Sequence, residues 1–373
     1  RDLVRSRGLG DVYKRQRKMT LWILLLIFVL IAAGAFCFLA QPSFGELPSG
    51  ERLERIQRSP NYRNGAFRNQ IPTPMMTGDK NRWQALWDFI FGNRKGLRPE
   101  KVVPVIRTDL KQLPRELNLM VWFGHSSYFL QVDGKKILVD PVFYSASPVS
   151  FINKPFVGTD IFHPEDMPDV DLLIITHDHW DHLEYKTVKE LREKIGKVIC
   201  PLGVGAYFEY WGYSSEKLIE MDWEEHISYD NLIIHCLPTR HFSGRGLLSN
   251  KTLWGAFLIK SPSLTLFLGG DGGYGPHFKQ IGRMFSSIDW AILENGQYSK
   301  DWKYIHTLPE QLEKVASDLH AKHVVTVHHS KYALSSHPWD EPLKIAASLR
   351  ERCQQKIYTP VIGEILLLDI YQL

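Results

Sequence analysis

The hydropathy pattern begins with an uninterrupted apolar run from Leu21 to Ala40. As a helix with a rise of about 1.5 Å per residue, this run covers the roughly 30 Å hydrocarbon core of a membrane. It therefore predicts a membrane anchor. A cleavable signal peptide with Ala33 and Ala35 at its cleavage site is the alternative, but the apolar stretch continues to Leu39, which favours the anchor.

From Asn118 onwards the pattern changes to short apolar runs separated by Gly, Asp and Pro, which is typical of strands. The predicted strands are 119–123, 127–132, 136–139, 172–175, 198–200, 232–236, 253–259, 264–268, 290–293 and 324–327. The predicted helices are 184–195, 278–285, 309–319 and 342–352. Two strand-rich halves that each carry helices predict two packed sheets with helices outside, in one domain over residues 115–373.

Residues 41–114 are predicted to form an N-terminal arm before this domain. Residues 41–80 are rich in Pro, Gly, Arg and Asn with little periodicity, which indicates a tether or a wrap-around arm. Apolar residues then recur at helical spacing and predict an amphipathic helix over residues 80–91. They are Trp83, Leu86, Trp87 and Ile90. This aromatic face packs on the domain in one interpretation and contacts lipid in the other.

Charge separates the first 18 residues from the rest of the chain. The net charge is +4, and residues 1–18 contain seven Lys or Arg and two Asp, so the remainder carries −1. Because binding to nucleic acid needs a basic face, no nucleic-acid partner is expected. Met19 is the first methionine, so we interpret residues 1–18 as a leader of doubtful origin and residues 19–40 as the membrane segment.

Basic residues beside the apolar run indicate its orientation in a membrane. Arg17 and Lys18 flank its amino-terminal side, whereas the charges beyond its other end lie further away and have mixed sign. The positive-inside rule places the following domain on the extracytoplasmic side, with the cytoplasmic face as the alternative.

The strongest chemical signal is Thr176-His-Asp-His-Trp-Asp-His182, between a predicted strand and a predicted helix. Residues two apart in an extended chain point the same way, so His177 and His179 can converge on one metal ion. Asp181 and His182 swing towards a second position where the chain turns into the helix. Imidazole and carboxylate are ligands that zinc accepts in catalytic sites. With 15 His in 373 residues, this spacing arises by chance with odds on the order of one in a thousand, which disfavours a merely polar loop.

The spacing H-x-H-x-D-H resembles the signature of the metallo-β-lactamase superfamily. Its members use a later His, a bridging Asp and a final His at strand ends, and predicted strands here precede His241, Asp271 and His328. Further segments are similar to the subgroup that contains N-acyl phosphatidylethanolamine-hydrolysing phospholipase D. They are Trp122-Phe-Gly-His-Ser-Ser-Tyr128, Leu138-Val-Asp-Pro-Val-Phe143, Gly270-Asp-Gly-Gly-Tyr274 and Val327-His-His329. The likeness covers residues 115–335 and implies a four-layer αββα sandwich.

The resemblance also implies a centre of two zinc ions. Its predicted ligands are His177, His179 and His241 for one ion and Asp181, His182 and His328 for the other, with Asp271 bridging them. Because His328 and His329 are adjacent, either could be the last ligand, and motif position favours His328. Asp181 and Asp271 are the predicted catalytic carboxylates, and iron or manganese is the alternative to zinc.

Other polar residues are candidates for supporting the ligands or contacting a substrate. Asp140 either holds a liganding imidazole by its other nitrogen or forms a turn before the following proline. His125 either lines the cleft or caps the glycine turn before it. Further candidates are Tyr274, His306 and His329, whose direction the sequence does not fix.

The resemblance and the membrane segment together predict a zinc phosphodiesterase of phospholipase D type that acts on N-acyl phosphatidylethanolamine-like phospholipids. Its partners are then the phospholipid and, through residues 21–40, the membrane, and a homodimer is one alternative for the oligomeric state. The same metal set serves the hydrolysis of lactones, thioesters and lactams, because fold does not determine substrate. A third hypothesis is a non-catalytic, metal-stabilised module tethered to the membrane.

Overall fold

The computed structural model describes residues 2–78, 84, 87, 92, 95–149 and 151–369. The chain divides into two units, Arg1–Phe44 and Gly45–Leu373. The domain boundaries at residues 18, 40 and 114 stay predictions. The amphipathic helix predicted over residues 80–91 lies outside the described residues, except for Gln84 and Trp87.

The described part of the first unit is the helix α1 (Asp2–Leu39), followed by a short 3-10 turn at Pro42–Phe44. Its segment Val12–Leu39 is long and apolar enough to cross a membrane, and its side chains are exposed. A helix satisfies its own backbone hydrogen bonds, which is the condition for lying in hydrocarbon. A signal sequence has the same length and composition, so both hypotheses for residues 21–40 stand.

The second unit begins with an arm that packs along the domain. Its elements are α2 (Gly50–Arg58), β1 (Tyr62–Arg63) and β2 (Ala66–Phe67). Within α2, Ile56 is buried, and Arg52 forms a salt bridge with Glu220 at 2.6 Å. This mostly polar helix is held by ion pairs around one apolar contact, so residues 41–80 show little of the apolar periodicity by which a helix is predicted.

Two seven-stranded sheets form the centre of the second unit, among its described residues. Their strands are β3 (Leu119–Trp122), β4 (Tyr128–Val132), β5 (Lys135–Val139), β6 (Val170–Ile174), β7 (Ile195–Pro201), β8 (Leu218–Met221), β9 (His226–Tyr229), β10 (Leu232–Leu237), β11 (Ala256–Lys260), β12 (Thr265–Leu268), β13 (Ile288–Glu294), β14 (Ala321–Val327), β15 (Lys356–Tyr358) and β16 (Ile365–Leu367). The first sheet has the order β16-β3-β4-β5-β6-β7-β8 and the second β15-β14-β13-β12-β11-β10-β9. In each sheet an antiparallel half joins a parallel half, made of β5 to β8 and β12 to β15.

Helices cover the outer faces of the two sheets. They are α3 (Tyr185–Leu191), α4 (Gly205–Tyr210), α5 (Pro276–Phe285), α6 (Leu312–Asp318) and α7 (Glu341–Arg352). Strand β12 shows the layering, because Leu266 and Leu268 face the core shared with the first sheet and Phe267 faces the core beneath α5, α6 and α7. Buried Val188 of α3 and Phe208 of α4 belong to the same continuous cluster as the residues of the first sheet. The predicted four-layer αββα sandwich is confirmed.

The strand predicted over residues 253–259 begins at Ala256 instead. Upstream of it, the Leu253 amide donates to Leu202 O at 2.8 Å and the Gly255 amide donates to Thr176 O at 3.0 Å. These amides connect to segments that lie outside the neighbouring strands of their sheet. The apolar side chains of this segment, Leu253 and Trp254, are buried like those of a strand, which explains the prediction.

His277, at the start of α5, makes the stability of the fold sensitive to acid. Its side chain is 5% exposed, and its Nε2 has no hydrogen-bond partner among the residues that the structure describes. Burial, and secondarily the charge of Arg240, lowers the pKa of His277 from 6.5 to about 3. Between these values the unfolded chain binds a proton that the folded protein excludes, so stability falls as pH falls through this window.

We expect His277→Phe to make this acid loss of stability shallower, by up to about 1.4 kcal/mol per pH unit. Denaturant unfolding of the wild type and the variant between about pH 7 and 4 measures the difference in their free energies of unfolding. The protonation of all other groups affects both proteins equally and cancels in this difference. Parallel stability curves for the two proteins would contradict the assignment.

Candidate metal centre

The predicted ligands lie just beyond the carboxyl ends of strands from both sheets. The segment His177 to His182 follows β6, His241 follows β10, Asp271 follows β12 and His328 follows β14. The structure brings all seven predicted residues into one cluster. The cluster consists of several groups of side chains that share members, and within each group the nitrogen and oxygen atoms that could bind a metal lie within 4.8 Å of one another.

Three imidazoles form one half of the cluster. His177 Nε2 lies 2.9 Å from His179 Nδ1, and His241 Nε2 lies 3.2 Å from the same atom. The Nδ1 of His241 donates to Ile305 O at 2.7 Å, which turns its Nε2 towards the other two rings. Burial lowers the pKa of His177 and of His241 well below the usual range, so both rings are neutral and keep a lone pair for a cation.

Asp181 is the centre of the second half. Its Oδ2 lies 2.9 Å from His125 Nε2, 3.6 Å from His182 Nε2 and 4.0 Å from His328 Nε2. Although burial opposes ionisation, His182, His125 and His328 hold the pKa of Asp181 below its usual range. A carboxylate among three imidazoles is a set of donors that suits a divalent cation.

Asp271 lies between the two halves. Its Oδ2 is 3.2 Å from His182 Nε2, 3.7 Å from His241 Nε2 and 3.9 Å from His177 Nε2, and its Oδ1 is 3.3 Å from His328 Nδ1. Gly270 before it has φ +58, and a Cβ there would lie 2.9 Å from Thr176 Cβ. Glycine therefore permits the close approach that brings this carboxylate within reach of both halves.

Two turns that carry His125 and His328 hold each other in place. Both residues have left-handed backbone, with φ of 55° and 69°. The His328 amide donates to His125 O at 2.8 Å, and the His125 amide donates to His329 O at 2.9 Å. Left-handed conformations of residues other than glycine cost on the order of 1–3 kcal/mol and persist where the surroundings fix them. The reciprocal hydrogen bonds do this here.

Asp140 supports the cluster from behind. Its Oδ2 lies 2.7 Å from His182 Nδ1 and accepts the Thr176 hydroxyl at 2.7 Å, while its Oδ1 accepts the Thr176 amide at 2.8 Å. A carboxylate on the outer nitrogen fixes the orientation of an imidazole and raises its basicity as a metal ligand. Against the effect of burial, Asp271, Asp181 and Asp140 together raise the pKa of His182. A cation on its Nε2 would replace the proton that this negative surrounding otherwise retains.

Buried atoms without partners test whether a cation fits the cluster. Within the part of the chain that the structure describes, four inward-facing atoms have no hydrogen-bond partner: His179 Nε2, His182 Nε2, His328 Nε2 and Asp271 Oδ1. Unpaired buried donors and acceptors cost about 1–3 kcal/mol each, so their concentration in one place indicates a missing partner. The cluster is able to bind metal, and its donors fit a pair of cations.

Two of the remaining candidates contact residues other than the predicted ligands. His329 lies outside the metal groups, with its Nδ1 2.8 Å from Ser330 Oγ and its ring edge-on to Trp122. Tyr274 points its hydroxyl to Asp318 Oδ2 at 2.6 Å.

His306 lies inside the cluster, beside a carboxylate that the sequence analysis missed. Its ring is 5.2 Å from that of His241 and 5.4 Å from that of His328, and its Nδ1 lies 2.6 Å from Glu294 Oε2. Against the effect of burial, Glu294 raises the pKa of His306 to about 9. Glu294 ends strand β13, so the strand-end placement of the other residues was an available signal for it.

The loop between the ligands is anchored on its other side. Asp178 accepts three hydrogen bonds there, from Gly244 N at 2.7 Å, Tyr207 Oη at 2.9 Å and Thr252 Oγ1 at 2.9 Å. The buried Arg245 donates to the carbonyls of Asp178 at 2.8 Å and Leu183 at 2.5 Å, and it stacks on Trp180 at 4.0 Å. Asp178 and Trp180, which lie between the predicted ligands, therefore help to fix the backbone of the loop.

Comparison with known proteins agrees with this geometry. A family model described as "Beta-lactamase superfamily domain" matches residues 135–329. An uncharacterised protein of Mycobacterium bovis is 33% identical over 318 residues, which cover 83% of this chain and 84% of that protein. The N-acyl-phosphatidylethanolamine-hydrolyzing phospholipase D 1 of Caenorhabditis elegans is 28% identical over 233 residues, which cover 58% of this chain and 64% of that enzyme.

A solved structure shares the fold. CmlA, a diiron β-hydroxylase from Streptomyces venezuelae, superposes with a TM-score of 0.54 at 18% identity, over 68% of this chain and 55% of its own. A likeness at this identity concerns the fold alone.

Proposed function

The chain belongs to the β-lactamase superfamily of metal-dependent hydrolases, and from that premise we propose that it is a zinc phosphodiesterase of phospholipase D type. Its substrate class is N-acyl phosphatidylethanolamine-like phospholipids. The products are phosphatidic acid and an N-acylethanolamine, formed when water replaces the alkoxide on phosphorus.

The observation that carries this proposal is the position of Asp271 between two sets of imidazole and carboxylate atoms. In the proposal, His177, His179 and His241 would hold one zinc ion, and Asp181, His182 and His328 would hold the other. Asp271 would be the ligand shared by both. The predominance of imidazole over carboxylate suits zinc, and iron or manganese is the alternative.

When bound, two such cations supply Lewis acidity towards the phosphate oxygens and lower the pKa of water towards neutrality. The protein contributes fixed geometry around them. Asp140 orients His182, Ile305 O orients His241, and Glu294 holds His306. Because these groups are already held in place by neighbours, little reorganisation accompanies the reaction.

Exposure indicates the side from which a substrate approaches. The side chains of Asp181 and His306 are 14% and 12% exposed, whereas those of His177, His182, His241 and Asp271 are at most 2% exposed. A phosphodiester therefore enters past Asp181 and His306. His306 is the residue that we assign to contact with the substrate.

A lipid substrate is supported by the C. elegans relative, whose name states that activity, and by the apolar helix α1. We propose that residues 21–40 anchor the protein in a membrane. In this proposal the hydrolase domain lies on the extracytoplasmic side, which the basic Arg17 and Lys18 favour, and the cytoplasmic face is the alternative.

The test is hydrolysis by the full chain, loaded with zinc and presented with vesicles that contain N-acyl phosphatidylethanolamine. Mass spectrometry should detect phosphatidic acid and N-acylethanolamine in equal amounts. Parallel reactions contain a lactone or a thioester in place of the phospholipid. If two bound metal ions accompany turnover of a lactone or thioester but no phospholipid product, the phosphodiesterase proposal is wrong and the rival hydrolase stands. If no substrate is turned over, the metal-stabilised module stands.

A further inference from the structure

The arm that precedes the hydrolase domain contacts the metal centre directly. Residues 69–77 of the arm form hydrogen bonds with two parts of the domain. One is His241 itself, and the other is the loop of residues 300–305. These arm residues precede residues 135–329, which the superfamily model matches. The arm therefore lies outside the matched region and still contacts a residue of the metal centre.

Asn69 holds the backbone of His241 with both ends of its amide. Asn69 Nδ2 donates to His241 O at 2.7 Å, and the His241 amide donates to Asn69 Oδ1 at 3.1 Å. Because the amide and the carbonyl of His241 belong to successive peptide groups, these two bonds fix the backbone on both sides of its Cα. Among the three imidazoles, His241 depends most on a contact that fixes its backbone. His177 and His179 belong to one short loop, whereas His241 approaches them from the other sheet.

Arg240 fastens the arm beside this contact. Its guanidinium donates to Thr73 Oγ1 at 3.1 Å and to Pro72 O at 2.9 Å, and it lies 4.0 Å from the ring centre of Tyr304. A third donor bonds Tyr274 O at 3.2 Å. The arm, the His241 segment and the loop before His306 thus meet at one side chain.

Thr77 connects the arm to the loop that orients the His241 ring. Its amide donates to Asp301 O at 2.7 Å, and its hydroxyl donates to Lys300 O at 2.8 Å. That loop continues to Ile305, whose carbonyl accepts His241 Nδ1 at 2.7 Å. The arm therefore acts on the backbone of His241 through Asn69 and on its ring through the 300–305 loop.

We propose that Asn69 is a positioning residue for the metal centre, which sets the affinity of the zinc site formed by His177, His179 and His241. This inference rests on the proposed function, since it takes that trio to be one of two zinc sites. Groups that orient a metal ligand typically contribute about 10–100-fold to metal affinity. Loss of Asn69 should lower the affinity of one site and leave that of Asp181, His182 and His328 unchanged.

The experiment compares Asn69→Ala and Asn69→Asp with Asn61→Ala in the full chain, purified in detergent. Asn61 is the matched control, because its amide also connects the arm to the domain, at Asp222 Oδ1 at 2.9 Å, but touches no member of the cluster. Asn69→Asp preserves shape and the acceptor while removing the donor to His241 O. It gives the same test if Asn69→Ala does not fold.

The readout is competition for zinc between the metal-free protein and a chromophoric chelator, which resolves two binding steps without any substrate. We expect the wild type and Asn61→Ala to retain both steps. Both Asn69 variants should lose about 10–100-fold in one step, with melting temperatures of the metal-free forms close to that of Asn61→Ala.

Wild-type affinity for both ions in the Asn69 variants would overturn this inference and leave the metal centre intact. An equal loss in Asn61→Ala would also overturn it, because general docking of the arm would then be the cause. A wild-type protein that binds no metal would overturn the proposed centre and this inference together.

Discussion

Asp271→Asn should lower kcat/KM for phospholipid hydrolysis, the proposed reaction, by at least about 10³-fold, equivalent to about 4 kcal/mol. The Asp271 carboxylate lies within 3.9 Å of imidazole nitrogens of both halves of the cluster. An amide has a similar shape but lacks the negative charge that, in the proposed centre, would offset two adjacent cations. We therefore expect the variant to retain fewer than two metal ions per chain, measured by elemental analysis together with steady-state kinetics.

Asp289→Asn is the control for this substitution. Asp289 lies near the start of β13, whereas the cluster is at the other end of that strand, and its carboxylate accepts Thr265 N and pairs with Lys322. Its removal should leave metal content and kcat/KM unchanged. If Asp271→Asn keeps two ions and at least a tenth of the activity, Asp271 is not a bridging ligand.

Removal of metal with a chelator should abolish activity and lower the melting temperature by about 10 °C. A ligand at about 1,000 times its Kd stabilises the folded state by roughly 4 kcal/mol, and each kcal/mol shifts the melting of a large domain by about 2–4 °C. The effect has a local cause, because the buried Asp271 and Asp140 and the partly exposed Asp181 all lie around His182. These carboxylates raise the pKa of His182, so without a cation a proton on that ring offsets part of their charge.

Scanning calorimetry before and after chelation measures this shift, and re-addition of zinc should restore both activity and melting temperature. Asp271→Asn should show a smaller shift on chelation, since it binds fewer ions. An unchanged melting temperature after complete loss of metal would contradict this prediction. It would mean that the protein alone stabilises the cluster, in spite of the unpaired buried atoms that it contains.

The centre of the fold could be predicted from the sequence, and its edges could not. The predicted strands correspond to β3 to β7 and β10 to β14, which have neighbours on both sides and near-continuous apolar runs. The strands missed in the two large sheets, β8, β9, β15 and β16, are the sheet edges. Edge strands have one neighbour and admit polar residues, so the apolar pattern that identifies a strand is weak in them.

The site divides in a similar way. The predicted ligands could be named from one motif and the strand-end rule, because metal chemistry restricts both residue type and spacing. Asp140 was a candidate support in the sequence, but the other supports could not be predicted. Asn69 and Arg245 act on backbone carbonyls far away in the chain, and many polar side chains satisfy that requirement equally well. Only the folded chain shows which of them is adjacent.

The origin of the cluster in two different sheets has a consequence for maturation of the enzyme. His182 follows β6 of the first sheet and His328 follows β14 of the second, so no half of the chain presents the complete set by itself. Contacts between residues so distant in sequence form late in folding, after the entropy of closing the intervening loops has been lost. On the proposed function, zinc therefore enters a domain whose sheets have already paired. The supply of zinc in the cell then determines how much of the folded protein is active without limiting how fast it folds.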